Sequence, residues 1–184
     1  LLAFINHVGV KNSTRFNNVL TIAKLIPLFL FIIVGLFYIE PANFEVKEVP
    51  GFSSFSSTVL LLVFAFGGFE SVLVNSGEVK NPAKNLPFAL LLATTIIAIL
   101  YVLIQTVSIG TLPTIGSSDK PLAEAAGLFI GKTGATIIAI GALFSITGTL
   151  NAIMLVGSRV PFALSEQQQF PKVPLQIHFY MQPL

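Results

Sequence analysis

Glu70 closes the run Phe64-Ala65-Phe66-Gly67-Gly68-Phe69, inside a stretch of about residues 54–75 that carries no other charge. A carboxylate in such a setting costs at least ~2.5 kcal/mol on membrane-insertion scales. It therefore marks a pathway or a proton relay, unless it lies close enough to the end of the stretch to reach water. The paired glycines Gly67 and Gly68 each weaken a helix by roughly 1 kcal/mol relative to Ala. They let the backbone open so that carbonyls and amides face a cavity instead of each other; the plainer alternative is close helix packing. Lys24 is the second isolated charge, inside an apolar stretch of about residues 18–38. It either snorkels to the nearby interface on its alkyl stem or is buried in a helix bundle as a titrating or ion-replacing group. Further along, Ser145, Thr149 and Ala152 share one helical face, with Thr147 and Asn151 on another. Most hydroxyls in such helices bond back to a carbonyl one turn earlier, which leaves one or two as candidate ligands.

Other chemistries find no constellation. The stretch Ala126-Gly127-Leu128-Phe129-Ile130-Gly131-Lys132-Thr133 fits a relaxed phosphate-loop pattern, but that mechanism needs a strand before the loop and an acidic residue on a later strand. Here an Ala-rich, helix-forming stretch precedes it and an apolar span follows. Asn12-Ser13-Thr14 is a glycosylation sequon on the side expected to be cytoplasmic, where it is inert. His7 and His178 have no partners at metal or triad spacing, and the absence of Cys removes disulfides, thiolate zinc sites and thiol catalysis. No catalytic residue, metal or cofactor is expected, and the chain is not expected to be an enzyme. The ten basic residues are scattered singly, without the stripe or cluster that nucleic acid requires.

The elements that must position these residues follow from composition. Charged residues make up 10% of the chain and hydrophobic residues 54%, with a mean hydropathy of +0.86. A soluble domain carries about 25% charged residues, so a soluble globular fold is excluded. A hydrocarbon core of ~30 Å needs ~20 helical residues. Four windows meet that length: residues 18–38, 54–75 (broken near 66–68), 86–110 and 134–158. None alternates as a membrane strand does, and helices satisfy their own backbone groups in hydrocarbon. Residues 122–130 form a candidate short interfacial helix, and Pro27 a candidate kink. Lys11 and Arg15, Lys80 and Lys84, and Arg159 and Lys172 fall on one side of the four crossings. On the other side Lys47, Lys120 and Lys132 are outweighed by Glu40, Glu45, Glu48, Asp119 and Glu124. Basic residues mark the cytoplasmic side, so residues 41–53 and 111–120 are expected outside and residues 77–87 inside.

The run Phe64 to Ser71, followed by Gly77-Glu78-Val79-Lys80-Asn81-Pro82-Ala83-Lys84-Asn85-Leu86-Pro87, strongly resembles the amino acid–polyamine–organocation family of permeases. So do Gly141 to Asn151, then Ser158-Arg159, Ala163 to Glu166 and Phe170-Pro171-Lys172, while Asn17 to Lys24 looks like the start of the family's fifth helix. The resemblance covers about Asn6 to Lys172, and the loop at Glu78 to Pro82 is its most specific part. It implies an all-α integral membrane protein of the leucine-transporter type, with ten core helices in two inverted repeats. This chain would supply core helices five to eight, the second span being the discontinuous sixth. In the family, unwound carbonyls at that break take the substrate's amino group and a preceding aromatic ring gates the site. The resemblance thus assigns substrate binding to Phe64, as gate, with Ala65, Phe66, Gly67, Gly68 and Glu70. In proton-coupled relatives a fifth-helix lysine occupies the place where sodium-coupled members hold an ion. That assigns ion coupling to Lys24, with oxygen partners around Ser145 and Thr149. The half-site of core helix one, which holds the carboxylate, has no counterpart here, and residues 167–184 depart from the family's pattern.

The expectation is therefore a fragment of a secondary active amino-acid transporter of the cytoplasmic membrane, coupled to protons in symport or exchange. Its partners would be an amino acid, the proton, the lipid bilayer and the remaining helices of the permease. A transporter of another organic cation such as a polyamine, or a non-transporting scaffold or channel subunit, is the alternative. The scaffold needs no mid-membrane glycine break beside an acid.

Overall fold

A computed structural model describes residues 10–45, 49, 51–69 and 79–166. They form five α-helices: α1 (Val10–Gly35), α2 (Phe52–Ala65), α3 (Pro82–Thr111), α4 (Pro121–Ile130) and α5 (Lys132–Glu166). Short 3-10 turns at Leu36–Tyr38, Pro41–Phe44 and Ile115–Ser117 connect them, and no strand occurs among the described residues. Three helices are long and apolar enough to cross a bilayer, over Ser13–Tyr38, Pro82–Thr111 and Lys132–Met154. The expected second span is represented by α2, whose 14 residues extend about 21 Å, short of a ~30 Å core. Beyond Ala65 the chain turns over residues 66–69. The candidate interfacial helix is found as α4, one residue longer than expected.

The principal packing is an antiparallel seam between α1 and α5. Small residues let two membrane helices approach closely, since lipid offers no hydrophobic drive for them to associate. A Cβ at Gly141 would lie 3.0 Å from the Pro27 ring, and one at Gly148 would lie 3.5 Å from Leu20. Farther along the same line Ser13 and Asn151 are both fully buried. The Asn151 amide donates to Ser13 Oγ at 3.1 Å, and Ser13 Oγ reaches Asn151 Oδ1 at 3.3 Å. Ser13, Leu20 and Pro27 recur every seven residues, the period at which one stripe of a helix keeps facing an antiparallel partner. Helix α1 reaches back to Val10, eight residues before the apolar stretch begins, and within that extension Ser13 is paired across the seam. The helix is continuous through Pro27, whose ring serves as a packing surface.

The hydrophobic core gathers where α1 and α3 end and α4 lies across them. Phe31, Ile32, Val107, Leu112, Ala125, Ala126 and Ile138 form it. The Phe129 ring of α4 sits 5.5 Å from Phe31 and 5.7 Å from Tyr38, stacked on the latter. The Gly110 carbonyl accepts from the Glu40 amide at 2.9 Å and from Asn43 Nδ2 at 2.8 Å, closing the connection after α1 onto the end of α3. In contrast, α2 contains no buried residue.

Candidate substrate and ion-coupling site

The break after α2 is built by its glycines. The Phe66 amide still donates to the Leu62 carbonyl at 3.1 Å, as in a helix, but the Gly67 amide folds back on the Phe64 carbonyl at 3.0 Å. Gly68 then takes φ +100°, a conformation that costs an L side chain about 1–2 kcal/mol. The Phe64 ring is 87% exposed, so no neighbour among the described residues covers it. Phe66 is half-buried and meets Tyr101 of α3 edge-on, with ring centroids 5.3 Å apart. The Tyr101 hydroxyl donates to the Ala65 carbonyl at 3.3 Å. Glu70 lies outside the described residues.

Lys24 occupies the α1 stripe that faces α5, between buried Leu20 and Pro27. The opposite side of α1 exposes Val19, Ile22, Ile26, Phe29 and Ile33. Two cavities meet at this lysine. The larger, about 560 Å³, is lined by Asn17, Thr21, Lys24, Gly68, Gly148 and Thr149, among others. The smaller, about 310 Å³, lies toward α4 and is lined by Lys24, Pro27, Leu122, Gly141 and Ser145. Among the described residues lining either cavity, Lys24 alone is charged.

Three of the sequence candidates thus share one cavity: Gly68 from the break, with Lys24 and Thr149 from the seam. Ser145 joins Lys24 in the second. Phe64, Ala65, Phe66 and Gly67 line neither. The Thr149 hydroxyl donates to the Ser145 carbonyl at 3.0 Å, the usual back-bond, which leaves its lone pairs free to accept from a cation. The buried Oδ1 of Asn17, about two turns before Lys24, has no hydrogen-bond partner among the described residues. No motif in the sequence points to Tyr101, and Asn17 stands in it only as the first residue of the Asn17 to Lys24 stretch. The phosphate-loop look-alike folds as helix α4, a turn at Gly131 with φ +76°, and the start of α5, so helix stands where that mechanism needs a strand.

Among the described residues, a glycine-ended helix thus shares a cavity with the lysine of a membrane-length helix. The chain belongs to the amino acid permease family, whose model matches residues 1–183. It is thereby a multi-pass membrane protein. It is 34% identical to the methylthioribose transporter of Bacillus subtilis over 179 residues, 97% of this chain and 39% of that protein. It is 33% identical to the branched-chain amino acid permease BcaP of the same organism, over 96% of this chain and 38% of the permease. The serine/threonine exchanger SteT, also from Bacillus subtilis, is 34% identical over 92% of this chain and 40% of its own length. The chain therefore spans about two-fifths of the length of these relatives.

Proposed function

We propose that this chain is the part of a secondary active amino-acid permease that carries one substrate half-site and the proton-coupling group. The observation that carries the reading is the cavity of about 560 Å³ that joins Gly68 to Lys24 and Thr149. At the break, the opened backbone of Phe64 to Gly68 receives the substrate ammonium, Phe64 closes over it and Glu70 balances its charge. At the seam, Lys24 gains and loses the coupling proton. When charged it takes oxygen partners from Thr149 and Ser145; when neutral it releases them, which biases one access state over the other as a ligand does. The substrate is an amino acid, the coupling ion a proton, and the site the cytoplasmic membrane, in symport or exchange. Relatives named for a branched-chain amino acid permease and a serine/threonine exchanger support the substrate class.

The test is Gly68→Ala in the complete permease reconstituted in liposomes. The added Cβ meets nothing within 4 Å, so its cost is conformational and falls on the break itself. Apparent affinity for the amino acid is expected to fall about tenfold, with expression retained. Unchanged affinity and rate would place the substrate elsewhere.

A further inference from the structure

We propose that Tyr101 is the positioning residue of the substrate half-site, fixing the end of α2 so that Gly68 is held at the cavity of Lys24 and Thr149. The proposal rests on the reading of the break as the substrate site and adds the residue that holds it in shape. The end of α2 needs such a residue, because no residue of α2 is buried and packing alone does not fix it. Its last carbonyls have lost their helical donors, and in a water-poor setting an unmatched carbonyl must find one. The Leu62 carbonyl keeps its helical donor, the Phe66 amide, and the Phe64 carbonyl is met by the Gly67 amide. The Ala65 carbonyl is met from another helix, by Tyr101 Oη at 3.3 Å. Among the described residues this is the one side-chain hydrogen bond that ties α2 to another helix.

The same side chain acts twice. Its ring takes Phe66 edge-on at 5.3 Å, an arrangement that aromatic quadrupoles favour. Hydroxyl and ring together therefore fix two consecutive residues, Ala65 and Phe66, immediately before the glycines. A tyrosine does this at modest entropic cost, having two side-chain torsions to order.

Tyr101→Phe separates the hydroxyl from the ring, Tyr101→Leu removes both, and Gly68→Ala reports independently on whether the break binds substrate. All three are measured in the complete permease, with KM, maximal rate per molecule and thermal unfolding in detergent. Tyr101→Phe is expected to raise KM roughly threefold to tenfold, the worth of one hydrogen bond, with a smaller change in maximal rate and an unmoved unfolding midpoint. Tyr101→Leu should raise KM further. If Tyr101→Phe leaves KM unchanged or lowers it while Gly68→Ala raises it, the positioning role is wrong and the substrate site stands. Equal losses in KM, rate and unfolding temperature would reduce Tyr101 to general packing and also overturn the proposal. If neither Gly68→Ala nor Tyr101→Phe moves KM, the site itself is misplaced and the proposal falls with it.

Discussion

Lys24 illustrates what one side chain's direction decides. Snorkelling keeps a lysine charged and wet, with its stem along the lipid face. The lipid-type face of α1 is the one bearing Val19, Ile22 and Ile26, whereas Lys24 lies on the half-buried stripe toward α5. From residue 18, where the apolar stretch begins, Lys24 is about 9 Å along the helix, so the face it occupies rather than its depth argues for a role inside the bundle. Replacement by Ala or by Arg should therefore abolish pH-driven uptake while some substrate binding remains, because Arg keeps the charge and cannot release its proton. Uptake measured against an imposed pH gradient checks this, and normal pH dependence in Lys24→Ala would return the residue to an interfacial anchor. The sequence shows the charge and its isolation. It does not show the face, because the polar start of α1 hides how far the helix reaches toward its end.

At the scale of helices, the α1–α5 seam and the α2 break differ in how they are encoded. The break is local: two adjacent glycines suffice to end a helix, and Gly67-Gly68 is visible in any reading of the chain. The tie that steadies it is not, since Tyr101 meets Ala65 from 36 residues away and nothing near Tyr101 signals the meeting. The seam lies between these cases. Its small residues and seven-residue spacing are present in the sequence, but the pairing of Pro27 with Gly141 is a matter of register. That pairing predicts the effect of Gly141→Ala. The new Cβ would meet the Pro27 ring at 3.0 to 3.1 Å, and a proline ring has no rotamer by which to withdraw. The helices must part by a few tenths of an ångström, at about 1–3 kcal/mol, which outweighs the roughly 1 kcal/mol that Ala gains over Gly within a helix. A lowered thermal unfolding midpoint in detergent checks it, with Gly116→Ala as a neutral control, because a Cβ there meets nothing within 4 Å. An unmoved midpoint for Gly141→Ala would mean that the seam is looser than its geometry.

For the whole molecule, the basic residues predict which end faces the cytoplasm. A chain without Cys lets single cysteines be placed freely. In intact cells an impermeant thiol reagent should label a cysteine at Gly116, in the exposed turn between α3 and α4, and leave one at Lys80 untouched; the reverse pattern would invert the molecule. With that orientation, the aromatic cluster of Phe31, Tyr38 and Phe129 lies toward the outside, and the Ser13–Asn151 pair toward the inside. The α1–α5 seam runs between them with matched teeth. A slide of one residue, ~1.5 Å, would separate Ser13 from Asn151 and drive the Pro27 ring off its glycine. Sliding of α1 along α5 is therefore resisted, while a change in the contacts of Lys24 with Thr149 and Ser145 can still tilt one helix against the other. Helix α2, with no buried residue and its end tied through Tyr101, is the element least held by packing against that seam.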